Sequence, residues 1–419
     1  MSVAEKDPIH LDRTTKLHFQ EYRTWDELAR IRTAWEELLA ESPSRTIFLT
    51  WEWLKPWWDA FGKDRQLMAL AASDDDGNLA GLALLSAQPH RIAAGITLKT
   101  LQLLGDGSTD SDTLDFIFRD GYEAPFVKGV IDWCAQHQSE WDILELNTVP
   151  KQSAIAREIQ NEITARGWVC SERENVHQIV ALPGKWEEYV SSLSKNMRAS
   201  VNSKMRKLEK RYQVNRRKCG SPEELAEFLD QLYRMHTLRW KLLEQSGSFF
   251  LPARREFYSV MANAFLERGW LDFWLLELNG QPAAAEFGFH YGKTYYFLQT
   301  GFDPAYFADS VGIVLKAQIF RELIERGMES YDFLGDDDPY KQRWAPQTHT
   351  TLFRTCARPG TRGSLYMGFN RSVKRGKAWL RARFPKQTWE KLRGSYRRLH
   401  SKPETAPKSA SAPEQSSEE

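Results

Sequence analysis

Apolar residues along this chain fall into two kinds of run. Short blocks bounded by Gly, Asn and Asp alternate with longer stretches in which apolar residues return every three or four positions. Residues 67–88, LMALAASDDDGNLAGLALLSAQ, are two apolar blocks joined by DDDGN, and its Asp-Gly step predicts a hairpin, because glycine takes a positive φ without steric cost. The same grammar returns at 271–300, where Asn279-Gly280 and Tyr291-Gly292-Lys293 separate three strand-like blocks. An amphipathic helix is predicted ahead of each hairpin, TWDELARIRTAWEELLA in one half and SPEELAEFLDQLYRMHTLRW in the other. The second opens with Ser221 as cap, Pro222 in the first turn and Glu224 completing a capping box. A helical stretch and a short apolar strand follow each hairpin, WDILELN at 141–147 and YDFLG at 331–335. The order helix, hairpin, helix, strand thus occurs twice and suggests a duplicated α/β unit.

Length and charge narrow the possibilities. At 419 residues the chain is long enough for two domains of ordinary size. Lys plus Arg number 57 against 56 for Asp plus Glu, so no global field draws nucleic acid or an acidic surface, and charge must be read locally. Cys134, Cys170, Cys219 and Cys356 lie far apart with no C-x-x-C pair and are expected as reduced thiols. No metal is expected: the run 106–115, DGSTDSDTLD, fails the EF-hand spacing, and Asp336 to Asp338 cannot easily converge on one ion. The first residues lack an apolar leader-like core and the apolar runs are too short to cross a bilayer, so a cytoplasmic protein is expected.

Four places carry candidate chemistry. On the predicted strand 281–290, the period of two puts Glu286, Gly288 and His290 on one face, so Glu286 and His290 are either a base pair with room for substrate over Gly288 or groups on a solvated or hydrogen-bonded sheet face. His236 and Arg239 are three apart on the preceding helix and face together, bordering the same cleft or simply exposed. Ser310 and Gly312 open the helix SVGIVLKAQIFRELIERG, as an anion cradle at its N-terminus or as an ordinary cap and a packing glycine. The stretch DFLGDDDPYKQRWA, 332–345, runs from an apolar strand into aspartates, cations and aromatics. Either it lines a cleft, with Lys341 and Arg343 contacting an anion, or the aspartates form a solvated turn before Pro339. Basic residues also crowd 195–218, on an amphipathic helix, and 371–402, where interleaved Trp379, Leu380, Phe384, Trp389 and Leu392 suit an anionic membrane surface or simple helical packing.

Taken together, SVGIVL, YDFLGDDD and PYKQRW resemble the C-terminal half of GNAT-fold acetyltransferases of the cellulose-biosynthesis-associated (CelD-like) family, relatives of the Fem-type aminoacyltransferases. FLTWEWLKPWWDAFG at 48–62, LSKNMRASVNSKMRKLEK at 193–210 and the hairpin 268–306 resemble other motifs of that family, in the same order. The resemblance covers about residues 18 to 356. It implies an α/β fold of two tandem GNAT-like (acyl-CoA N-acyltransferase) domains, with mixed, mainly antiparallel sheets flanked by helices. Those domains would occupy 18–160 and 161–360, after a tail at 1–17 and before a basic helical segment at 361–402 and a disordered end at 403–419. The implied reaction moves an acyl (acetyl) group from acyl-CoA to an amine or hydroxyl of a small-molecule or glycan-linked acceptor of the cell envelope or an exopolysaccharide. In that reading Glu286 and His290 are catalytic, and Gln299, Ser310, Gly312, Lys341 and Arg343 hold the acyl-CoA. His236, Arg239, Asp336, Tyr340 and Trp344 would contact the acceptor. The GNAT phosphate signature R/Q-x-x-G-x-G/A is absent, since ADSVGI keeps one glycine only. Aminoacyl-tRNA, the Fem-type donor, therefore stands as the alternative, and a catalytically silent scaffold as a third.

Overall fold

The computed structural model describes residues 16–383 except 93–94, 109, 243–247, 336–337 and 345–346. The described residues up to Ser364 form one compact unit and those from Leu365 a second. The candidate Asp336 and the basic, tryptophan-bearing stretch beyond 383 lie outside the described residues. No described helix is long and apolar enough to cross a membrane.

The strands are β1 (His18–Tyr22), β2 (Gln66–Ser73), β3 (Leu79–Arg91), β4 (Thr97–Leu103), β5 (Ile117–Phe118), β6 (Ile143–Pro150), β7 (Val169–Ala181), β8 (Val214–Lys218), β9 (Leu271–Leu278), β10 (Gln281–Tyr291), β11 (Thr294–Phe302), β12 (Ser330–Asp332) and β13 (Gln347–Ala357). The helices are α1 (Trp25–Ala29), α2 (Arg32–Glu41), α3 (Trp51–Phe61), α4 (Glu123–Gln136), α5 (Ala154–Ala165), α6 (Trp186–Ser192), α7 (Lys195–Arg211), α8 (Pro222–Leu242), α9 (Pro252–Glu267), α10 (Val311–Glu325), α11 (Pro339–Gln342) and α12 (Arg362–Arg383). Both hairpins form where the sequence places them: Gly77 closes one at φ 82°, and Asn279 and Gly280, at 52° and 76°, close the other with the left-handed pair that a two-residue turn requires.

One sheet runs through the compact unit in the order β1-β2-β3-β4-β6-β13-β7-β12-β11-β10-β9-β8, with β5 paired to β3 off this path. The order is nearly symmetric about its centre. Each half contributes an antiparallel meander ending in one parallel pair, β4 with β6 and β11 with β12. The strand that follows each parallel pair in the chain then pairs with the other parallel pair: β7 with β12, and β13 with β6. At the centre, β7 and β13 run antiparallel along the whole of β13. The halves read in the sequence are therefore welded by exchanged strands within a single sheet.

That exchange explains a departure from expectation. Cys170 and Cys356, expected as reduced thiols, stand opposite each other on β7 and β13 and are joined as a disulfide. Their separation of 186 residues conceals a contact that only the crossed strands create. Cys134 and Cys219 are free and buried.

The core also spans both halves. Trp53 and Trp57 of α3, one helical turn apart, are fully buried, and Trp53 packs against Phe257 and Phe265 of α9 and Phe289 of β10. A second cluster lies on the other face of β10 and β11, under α6, α7 and α10, built from Tyr189, Val201, Leu315, Ile319, Phe320, Tyr331 and Trp344.

Candidate active site

The parallel pair β11·β12 is short. It is hydrogen-bonded from Thr294–Ser330 to Tyr296–Asp332, and beyond that point β11 continues to Phe302 while β12 ends. The pairing of β11 with β10 also slips here, from Gly288–Phe297 to Phe287–Gln299, leaving Leu298 with no counterpart. A bulge of this kind re-aims the strand and takes backbone groups out of the ladder. Two residues past the last β11·β12 pair, the sheet is therefore opened on one side and irregular on the other.

Beyond β11 the chain turns through a short 3-10 segment, Pro304–Asp309, and enters α10 at Ser310, which holds φ 57°. The Ser310 side chain makes no cap, so the sequence's ordinary-cap alternative for it does not form. The carbonyl of Ser310 takes the amides of Ile313 and Val314, and a Cβ at Gly312 would meet nothing within 4 Å. The first turn of α10 thus faces open space with backbone N–H groups and the positive end of its dipole.

Glu286 and His290 share the face that α10 covers, as the alternation predicts, but the structure does not bring them together. Glu286 is paired with Lys316 of α10 at 2.8 Å, both side chains being 2% exposed. Tyr331 and Tyr295 donate to its other oxygen at 2.8 and 3.1 Å, and the Lys316 ammonium reaches the Tyr331 hydroxyl at 2.6 Å and lies 3.7 Å from the centre of the Phe297 ring. Burial lowers the Lys316 pKa against the opposing pull of Glu286. His290 contacts Asp272 at 2.7 Å, where Arg326 and Lys218 also converge at 2.7 and 2.5 Å. The space expected over Gly288 is filled, since a Cβ there would overlap the Tyr295 hydroxyl.

Other candidates separate in the same way. Trp344, expected to line a cleft, is fully buried and stacks on Phe320 with centroids 5.4 Å apart. It is a core residue because α11 folds back over α10. His236 is buried beside Phe249 at 4.8 Å; desolvation and the charges of Arg239 and Arg254 push its pKa down to about 4, so it is neutral near pH 7. Arg239 lies 5.7 Å from the Phe302 ring, and with exposed Arg343 it acts on half-buried Tyr340. Lys204 of α7 joins this group: burial and the charge of Arg343 lower its pKa. Lys341 does not reach outward; its ammonium donates to the carbonyl of Leu334. Gln299 bonds the hydroxyl of Tyr258 on α9.

A polar centre that the sequence does not reveal lies at the point where β11 and β12 part. Asp332, the last residue of β12, contacts His349 of β13 at 3.2 Å, and its other oxygen accepts the Leu334 amide at 2.8 Å. His349 stacks on His177 of β7, centroids 4.8 Å apart, and His177 contacts the Thr351 hydroxyl at 2.8 Å. Asp112, from the loop 104–116 of the first half, accepts the amide of Gly335. Leu334 and Gly335 both hold positive φ, 48° and 61°, so the turn carrying these contacts is strained at a non-glycine residue.

The loop bearing Asp112 is held from several sides. Trp53 and Trp57 donate their indole N–H groups to Ser111 and Ser108, each at 2.9 Å, and Tyr258 donates to Asp110 at 3.1 Å. Arg254 pairs with Asp110 at 3.4 Å. Desolvation, aided by the charges of Asp332 and Asp110 and opposed by the Gly335 amide and Lys341, pushes the Asp112 carboxyl up to about 7. Burial alone would lower the His349 pKa, but its contact with the Asp332 carboxylate, with the charge of Asp112, turns the net shift upward. Perturbed, partly accessible groups brought together from distant segments mark a functional site more often than a plain core. The available signals were a lone Asp in the apolar strand YDFLG and a lone His in QTHTTLF. Neither says which strands would be neighbours.

Residues 195–342 match the family model described as an acetyltransferase (GNAT) domain. No curated protein matches the chain. Among solved structures, FemX is similar with TM-score 0.57 and 11% identity, over 80% of this chain and 96% of that one. A conserved protein of unknown function from Bacteroides thetaiotaomicron is similar with TM-score 0.50 and 13% identity, over 78% and 97%. A tandem GNAT protein from the clavulanic acid biosynthesis pathway matches with TM-score 0.44 and 12% identity, over 82% and 100%. The chain is thus a mixed α/β protein whose second half carries the match to the acetyltransferase (GNAT) domain.

Proposed function

We propose that the chain transfers an acyl group, in the simplest case acetyl, from acyl-CoA to an acceptor of the cell envelope or an exopolysaccharide, with the second half holding the donor. The observation that carries this reading is the opening between β11 and β12, flanked by the Leu298 bulge and ending at the first turn of α10. A thioester arm can lie between strands that have stopped pairing, where freed backbone amides meet its carbonyl oxygen. The open N-terminal turn at Gly312 suits a phosphate, and Lys204, Arg239 and Arg343, which gather about Tyr340, are the cations that would bind the rest of an anionic donor. The chain's own residues would orient the donor and exclude water.

The test is calorimetric titration with acetyl-CoA of the intact chain and of Gly312→Glu, which has space for the side chain but places a carboxylate where the phosphate would sit. A loss of about tenfold or more in affinity is expected, the order of one helix-terminus charge interaction. No binding to the intact chain removes acyl-CoA as donor. Aminoacyl-tRNA, the donor that the sequence resemblance leaves as the alternative, is then the one to try next.

A further inference from the structure

We infer that His349 is the general base for an amine acceptor, that Asp332 positions it, and that Asp112 from the first half of the chain holds the acceptor's ammonium. The inference rests on the acyl-transfer reading above. His349 sits where three segments meet: Asp332 faces it from β12, His177 from β7 and Asp112 from the loop 104–116, while Lys341 of α11 acts on His177 and Asp112. With Nε2 lying 3.2 Å from Asp332 Oδ2, an ion-pair contact through which the carboxylate can orient the imidazole, the other ring nitrogen is the one left to take a proton. Asp332 is also the residue at which β12 stops pairing with β11, which puts the dyad at the inner end of the donor opening.

The charge around this centre favours an amine over a hydroxyl. An ammonium has a pKa near that of lysine, about 10, within reach of an imidazole, whereas a neutral alcohol is a far weaker acid. Asp112 is half-buried among other carboxylates, and a cation beside it would restore its charged form. In the step, the ammonium gives one proton to His349 and the freed nitrogen lone pair attacks the thioester carbonyl. A C–N bond forms and the C–S bond breaks. The departing thiolate takes the proton from His349, and the second nitrogen proton leaves to solvent, giving amide, free thiol and one proton.

The experiment follows thiol release from acetyl-CoA by the full chain with glucosamine, and with glucose as the hydroxyl-only counterpart, from about pH 5.5 to about 9, alongside calorimetric binding of acetyl-CoA. Release should depend on the amine and rise with pH through the raised His349 pKa. His349→Asn should lower kcat by about 10²-fold or more while leaving acetyl-CoA affinity unchanged. Asp332→Asn should move the acidic limb to lower pH, because the carboxylate that raises the imidazole pKa is gone, and Asp112→Asn should raise the KM for glucosamine more than it lowers kcat. Retained turnover in His349→Asn, an unmoved limb in Asp332→Asn, or glucose serving as well as glucosamine overturns the inference while acyl-CoA binding stands. Acetyl-CoA binding without any amine-dependent release overturns the amine assignment. If acetyl-CoA does not bind, the acyl-CoA reading fails instead. The dyad is then judged by an NMR titration of His349, whose pKa must fall in Asp332→Asn; an unchanged value overturns the positioning role.

Discussion

Replacing Lys316 with Met tests whether the Glu286 cluster is a structural ion pair or a reaction centre. The ammonium contributes one charge-assisted bond at 2.8 Å to a carboxylate that has no route to water, with both side chains 2% exposed. Met fills the methylene volume but leaves the anion held only by Tyr331 and Tyr295. Removing one partner of a buried pair costs about 3–5 kcal/mol, and the two remaining donors place this case near the lower end, about 3 kcal/mol. Glu286→Gln leaves the Lys316 ammonium with an amide oxygen, the Tyr331 hydroxyl and the Phe297 ring, and should cost a similar amount. The double variant removes both charges and should cost about 1 kcal/mol, so the singles fail to add by about 5 kcal/mol. Urea unfolding of the four proteins reads this directly: with a slope of about 3 kcal/mol per molar, each single variant shifts its midpoint down by about 1 M. Singles costing under about 1 kcal/mol, or a double variant equal to their sum, would refute the buried-pair argument. Turnover separates the roles further. Glu286→Gln that binds acetyl-CoA with wild-type affinity and stays folded should keep its rate; a loss of rate alone would make Glu286 catalytic after all.

Three further outcomes follow from the same geometry. Asp112, raised from 3.8 to about 7, contributes stability fully present below the unfolded value and lost as pH rises toward 7, so Asp112→Asn should flatten the decline in melting temperature between those limits; an unchanged slope would contradict the raised value. Gly288→Ala drives a methyl into the Tyr295 hydroxyl and the Tyr296 carbonyl and should destabilise by about 2 kcal/mol or more, measured by urea unfolding. Reducing the Cys170–Cys356 bond, which closes a loop of 186 residues, should lower stability by up to about 5 kcal/mol on the chain-entropy account; an identical melting curve with and without reductant would show that the paired strands already supply the constraint.

What the sequence made legible was local. Asp76-Gly77 and Asn279-Gly280 fixed two turns because a positive φ is a property of single residues. Period two correctly put Glu286 and His290 on one face of β10, but no period says what covers that face. Here α10 brings Lys316 to one and Arg326, at the helix end, to the other's partner Asp272, so two residues four apart acquire unrelated neighbours. Trp344 was misplaced for the same reason, since a tryptophan beside Lys341 and Arg343 has the composition of a cleft and the burial of a core.

The polar centre was illegible for a stronger reason: it is a product of strand exchange. Asp332 and His349 lie on β12 and β13, which do not pair; β7, which follows β6 in the chain, lies between them, and the contact passes over its Ile179 and His177 positions. Without β7 in that place, Asp332 would end a strand at a sheet edge and His349 would stand elsewhere. The crossing also brings the first half's loop to Gly335, so that Asp112 meets the second half's site. A chain that merely carried two copies of one unit would hold two similar openings. This one spends its first half's loop on completing the second half's site, which explains why the loop is anchored by Trp53, Trp57, Tyr258 and Arg254. Cutting those anchors should then impair turnover through Asp112 without touching the donor opening: Trp57→Phe, which keeps a six-membered aromatic ring but drops the bond to Ser108, is expected to raise the acceptor KM several-fold while acetyl-CoA affinity holds, and an equal loss of both would mean that the loop supports the fold alone.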